Sequence, residues 1–94
     1  MFKFVKDGDE AMYIPMSKVV FIETIAETVK VYLVGRGADN VGDDYIDISC
    51  TAGTEVAIAD KLAMHQMSTT VLDTVVLVDT NYASGITGIV YAAA

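Results

Sequence analysis

Apolar and polar side chains alternate along much of this chain with a period of two, the spacing of a strand whose two faces see different surroundings. Phe2 and Phe4 flank Lys3, and Ala11–Ile14 follows the turn-forming run Lys6-Asp7-Gly8-Asp9-Glu10. These residues predict a hairpin, closed off by the sole proline, Pro15. Lys18–Thr24 (KVVFIET) predicts the next strand, which a tight connection, Ile25-Ala26-Glu27-Thr28, joins to Val29–Val34. There Val29, Val31 and Leu33 share one face, and Lys30 and Tyr32 the other. After the main loop Gly35–Asp44 (GRGADNVGDD), Tyr45–Cys50 repeats the alternation. Ile46, Ile48 and Cys50 point one way and Tyr45, Asp47 and Ser49 the other, as a sheet with one solvated face requires.

The period changes to that of a helix at Thr54–Met67 (TEVAIADKLAMHQM). Thr54 suits the N-cap, and Glu55 suits the positive end of the helix dipole. Ile58, Ala59, Leu62, Ala63, Val56 and Met67 fall within half the circumference and predict the buried face. Lys61 points away, and Ser68-Thr69-Thr70 ends the helix. Val71–Val78 (VLDTVVLV) and Ile86–Tyr91 (ITGIVY) predict two further strands. Val75–Val78 is apolar at four consecutive positions, so both its faces need cover, one from the helix and one from a second sheet or another subunit. Nearly a third of the chain is Val, Ile or Thr, stiff side chains that favour the pleated strand. The expected fold is a single α+β domain over residues 1–94: an antiparallel β-sheet of six to seven strands with one α-helix packed on one face.

Composition sharpens this picture. A chain of 94 residues folds with roughly 5,300 Å² of surface, against about 14,600 Å² when extended, so its interior is thin. Yet 53% of its residues are hydrophobic and only 20% charged. The surplus is densest after the helix, and the faces that a lone copy is least expected to cover are Val75, Val76, Leu77, Val78, Ile86, Ile89, Val90 and Tyr91. A closed homo-oligomer covers such faces with the same surface on every copy.

The net charge of −7 excludes some partners. Lys3, Lys6, Lys18, Lys30, Arg36 and Lys61 are scattered, so neither nucleic acid nor an anionic membrane surface is an expected partner. Negative charge on the outer surface also limits uncontrolled aggregation. The lone Cys50 forms no intrachain disulfide and rules out Cys-rich zinc motifs. MFKFVKDGDE has no apolar signal core, and the charge-free stretch Thr80–Ala94 is too short and too broken to span a bilayer.

Candidate chemistry is sparse. Asp39, Asn40, Asp43 and Asp44, with Asp47 nearby, form the one cluster of hard oxygen ligands. Asp39, Asp43 and Asp44 are accordingly the metal candidates, although the spacing is not that of an EF-hand and turn chemistry accounts for the same residues. Cys50 and His65 are the only materials for a nucleophile–base pair, and each has a structural reading, as a small core hydrophobe and as a helix C-terminal cation. Gly35-Arg36-Gly37 is a fragment of a phosphate-binding turn without the rest of the motif. Thr51-Ala52-Gly53-Thr54 opens the helix where an anion could sit, but lacks a lysine. Met12, Met16, Met64 and Met67 are read as core filling. No catalytic residue, cofactor or metal is assigned.

In layout the chain resembles small virion-associated proteins of marine and cyanobacterial tailed phages. The resemblance lies in the opening Phe2-Lys3-Phe4-Val5, the VVFIE strand (Val19–Glu23), the VKVYLV strand (Val29–Val34), the strand Asp44–Ser49, one Ala-rich helix, and the terminal strand pair Val71–Ala92. It covers most of the chain as a pattern of strands and carries over no catalytic or ligand position. The Gly35–Asp44 loop has no counterpart in it. The resemblance implies a non-enzymatic structural protein, a capsid decoration (cement) or other accessory protein, assembled in the host cytoplasm and located in the virion. A trimer is its favoured stoichiometry, and a major capsid protein or other virion protein its further partner. The rival expectation is a small ion- or ligand-binding module using the acidic segment Gly37–Asp47.

Overall fold

The computed structural model describes residues 1–6, 10–34, 44–68 and 75–92. These form seven strands and one α-helix: β1 (Phe2–Val5), β2 (Ala11–Ile14), β3 (Val19–Ile25), β4 (Thr28–Leu33), β5 (Tyr45–Cys50), α1 (Glu55–Ser68), β6 (Val76–Val78) and β7 (Ile86–Ala92). A single 3-10 turn, Met16–Lys18, links β2 to β3. The fold is the expected α+β arrangement, with the strands divided between two sheets. One has four strands in the order β3-β4-β5-β7, all antiparallel, and the other has three in the order β2-β1-β6.

The N-terminal hairpin forms as its alternation predicts, with Phe2 opposite Ile14 and Phe4 opposite Met12. Its other neighbour, β6, runs parallel to β1, with Phe2 beside Val76 and Phe4 beside Val78. This one parallel pair departs from the antiparallel expectation. Parallel pairing needs a long crossover, and the whole stretch from β2 through α1 supplies it.

The inner faces of both sheets and one side of α1 meet in a single core. Phe2, Phe4 and Val78 come from the smaller sheet, Val29, Val31, Ile46, Ile48 and Ile89 from the larger, and Ile58 and Leu62 from the helix. The strict alternation of β4 and β5 is realised, with Val29, Val31, Leu33, Ile46, Ile48 and Cys50 buried. The solvent-accessible surface is 5412 Å², close to the roughly 5,300 Å² that scaling gives. That is the surface of an ordinary folded chain of this length, and large apolar side chains such as Phe21, Val56, Met64 and Met67 remain exposed on it.

The helix differs from the sequence reading in its rotation. Val56 and Met67 were placed on the buried arc, but Val56 is 63% and Met67 82% exposed, as is Met64, which was read as core filling. Met12 and Met16 do pack against the core. Polar residues of α1 flank the side that packs on the sheet. Gln66 Nε2 donates to the carbonyls of Met16 and Val19 at 3.3 Å each. Glu55 accepts from the backbone of the β3–β4 turn, and His65 lies against Tyr82. These bonds flank a buried side that centres on Ile58 and Leu62 and leaves Val56 and Met67 outside. Lys61, expected to face away, reaches back so that its ammonium donates to the Tyr82 carbonyl and lies 4.4 Å from the ring centroid.

The start of α1 is a structural joint. Glu55 takes Glu27 N–H at 2.8 Å on one carboxylate oxygen and Gly53 N–H at 2.7 Å on the other. Thr54, expected to cap the helix, instead donates its hydroxyl to the Thr51 carbonyl at 2.6 Å. The place where an anion could sit is thus taken by a carboxylate of the chain itself. The Glu27 N–H, followed by Glu55's own and that of Gly53, holds the Glu55 carboxyl below its usual 4.5. A carboxyl with a lowered folded-state pKa stabilises the fold above its unfolded value, and that contribution is lost as pH falls through the folded value. Glu55→Gln is therefore expected to destabilise the protein at neutral pH, with the difference from wild type closing below about pH 4.5. Urea unfolding at pH 7 and pH 3 measures this; an unchanged difference would assign the effect to shape instead of charge.

Candidate functional site

The eight residues expected at a partner surface fall into two groups. Val78, Ile86 and Ile89 lie in the chain's own core. Val76 and Tyr91 are half-buried and packed against it. A single copy covers these five, because β6 and β7 direct alternate side chains inward. The other three, Val75 at 51%, Leu77 at 48% and Val90 at 49%, remain exposed. Of the two faces of Val75–Val78, the expectation that the helix covers one is corrected. The core covers one face, whereas α1 packs chiefly against β3 and β4.

Among the described residues both strands are edges: β6 pairs only with β1, and β7 only with β5. Free edges are commonly blunted by charge, proline, bulges or short length. β2 has four residues and ends before Pro15; β3 carries Glu23 and a register irregularity between Val19 and Phe21; β6 has three residues. β7 is seven residues long, with neither charge nor proline.

The outer face of the four-stranded sheet is the second exposed region. Cross-strand register places its side chains in rows. Phe21, Tyr32 and Tyr45 form an aromatic row, with ring centroids 4.3 Å apart for the stacked pair Phe21–Tyr32 and 5.4 Å for Tyr32–Tyr45. The next row holds Glu23, Lys30, Asp47 and Val90, and the third holds Ile25, Thr28, Ser49 and Gly88. Tyr32 O–H donates to Glu23 Oε1 at 3.1 Å, and burial followed by this carboxylate raises the phenol's pKa. Lys30 and Asp47 are directly opposite on β4 and β5, yet the Lys30 ammonium lies over the Tyr45 ring, 4.8 Å from its centroid. Asp47 Oδ1 is buried without a hydrogen-bond partner. The sequence places Tyr32, Lys30, Tyr45 and Asp47 on the solvated face and gives a role only to Asp47, beside the acidic loop. The available signal was aromatic residues at outward positions of successive strands.

The remaining candidates are distributed differently. Asp39, Asp43 and Gly35-Arg36-Gly37 lie outside the described residues. Asp44 accepts the Tyr91 hydroxyl, a bond that raises the phenol's pKa, and its carbonyl takes Leu33 N–H at 2.8 Å. Among the described residues no group of three His, Cys, Asp or Glu is arranged to hold a metal ion. Cys50 is buried on the inner face of β5, while His65 Nδ1 is hydrogen-bonded to the Tyr82 hydroxyl at 2.6 Å. Burial pushes the Tyr82 phenol up to about 12, so the pair ties the β6–β7 connection to α1. Among the described residues no helix is long and apolar enough to cross a membrane.

Among the described residues the fold is a small α+β module with open sheet edges and apolar side chains exposed beside charged ones on its outer face. In comparisons with known proteins, no family, no curated protein and no solved structure matches this chain.

Proposed function

We propose that the protein is a non-enzymatic assembly module that acts through contacts between its own copies and with a protein lattice, as a virion decoration or accessory protein does. The observation that carries the reading is apolar exposure that folding leaves behind. Leu77 and Val90 stand half-exposed on edge strands, and Val75 just before β6, while the inner faces of those strands fill the core. Pairing an edge with another chain satisfies its backbone groups and covers these side chains together. The virion setting rests on the strand layout the chain shares with small phage proteins, and a major capsid protein is the lattice partner that layout suggests. The excess of acid over base keeps such assemblies discrete through mutual repulsion.

Sedimentation at micromolar concentration is expected to give a mass that is a multiple of 10.1 kDa. Leu77→Asp puts a charge on the outward side of β6 and is expected to lower that mass without unfolding the protein. Val76→Asp is a poorer probe, because Val76 packs against the core. A monomer at every concentration, alone and with purified particles, would refute the proposal.

A further inference from the structure

The outer face of the four-stranded sheet has a symmetry that neither edge has. The order β3-β4-β5-β7 puts the centre of the face between β4 and β5, and there Lys30 and Asp47 stand side by side. A two-fold axis lying in the interface, parallel to the strands and passing between β4 and β5, sets β4 of one copy over β5 of the other, and β3 over β7. Row order along the strands is kept. Each Lys30 then faces the partner's Asp47, twice over, and Tyr32 faces the partner's Tyr45. Ile25 faces the partner's Gly88, where nothing lies within 4 Å of the position a Cβ would occupy. Thr28 faces the partner's Ser49.

The perpendicular choice, an axis running across the strands, puts Lys30 on Lys30 and Asp47 on Asp47. Like charges so opposed cost several kcal/mol at an interface. Charge and relief therefore select one of the two arrangements.

We infer that this face is a two-fold contact between copies of the chain, with Lys30 and Asp47 exchanged across the axis. The inference rests on the reading that the protein assembles with itself, and it names the surface. Three features of the isolated chain favour a second copy as occupant. Asp47 Oδ1 is buried without a hydrogen-bond partner, and its cross-strand neighbour Lys30 turns to an aromatic ring instead. The apolar side chains Phe21, Ile25 and Val90 are exposed around this charged centre. Finally, strands spaced ~4.8 Å apart and about six residues long give a face of about 20 × 20 Å on each copy. With side-chain relief added, two such faces approach the roughly 1,000 Å² of total burial at which specific interfaces begin. Sheets packed face to face with strands nearly aligned are a common arrangement, and the sheet twist keeps the central pairs closest. The contact is isologous and closes at two copies.

The test is a charge exchange read by sedimentation equilibrium, with circular dichroism to confirm folding. Lys30→Asp and Asp47→Lys each place like charges across the axis and are expected to weaken self-association roughly 100-fold or more. Mixed in equal amounts, the two variants bring their reversed residues face to face and keep one native pair, so the mass of two copies returns. If either reversal fails to fold, Lys30→Gln and Asp47→Asn replace them. Each removes both pairs, and the double substitution is expected to weaken association no further than either alone. A wild-type oligomer whose mass is indifferent to all these changes overturns the face while leaving self-assembly through the edges standing. A wild-type monomer overturns both.

Discussion

Phe4→Ala is expected to lower the unfolding free energy by about 4 kcal/mol, the range for truncating a fully buried aromatic side chain. Phe4 is 0% exposed. It stands between Met12 on β2 and Val78 on β6 and packs on Phe2, with ring centroids 5.5 Å apart. The three-stranded sheet is small, with strands of four, four and three residues, so few other side chains hold it to the shared core. In a domain of this size about 4 kcal/mol corresponds to a fall of roughly 20 °C in Tm. Thermal and urea unfolding measure it, with Phe4→Leu as the volume-sparing control, expected to cost less than half as much. A loss under about 1.5 kcal/mol would mean that this sheet is not docked as described. Since β6 presents Leu77 outward, a loosened sheet is also expected to weaken any assembly through that edge.

The second large effect is expected at Gly85, just before β7. Its φ of +97° lies in a region L side chains rarely adopt, and a Cβ there would lie 2.7 Å from Thr54 Oγ1 and Cγ2 and 2.9 Å from Thr54 Cβ. Thr54 has no long side chain to swing aside, so the backbone must move. Gly85→Ala is expected to cost about 3 kcal/mol, backbone strain and overpacking together. Gly53 separates the two contributions. It has a φ of +94° but nothing within 4 Å of its Cβ position, so Gly53→Ala is expected to cost only the conformational part, about 1 kcal/mol. Chemical denaturation of both variants checks the difference; equal losses would assign the whole effect at Gly85 to its backbone angle. The joint matters because the Gly85 carbonyl accepts Thr51 N–H at 2.9 Å, joining the start of β7 to the turn that leads into α1.

The strands were the most legible elements in the sequence. Val29, Val31 and Leu33, and Ile46, Ile48 and Cys50, are buried as their spacing requires, because side-chain direction in a strand is a local property of period two. The helix was legible in extent but not in rotation. The sequence gives Glu55 and His65 only roles at the helix ends and Gln66 none, and they are the residues that bond to Glu27, Tyr82 and the Met16–Val19 segment. Such partners lie between 17 and 50 residues away along the chain, and periodicity carries no information about them.

The candidate surface was legible to a similar degree. Composition identified an apolar surplus, and Val75, Leu77 and Val90 are part of it. Val78, Ile86 and Ile89 belong to the core because β6 joins β1 and β7 joins β5, pairings made over long separations. The row Phe21–Tyr32–Tyr45 and the pair Lys30–Asp47 exist only once register is set, since residues from three strands must be aligned before they become neighbours.

By itself, then, the sequence determined the strand segments, their inward and outward faces, the single helix and the excess of apolar side chains, all of which follow from local geometry and composition. Tertiary pairing and packing set the division of the strands into two sheets, the parallel placement of β6 beside β1, the rotation of α1 about Ile58 and Leu62, and which apolar residues stay outside. Those outcomes depend on pairing and packing between segments far apart in the chain, where hydrogen bonds and shape choose among arrangements that local patterning leaves equivalent.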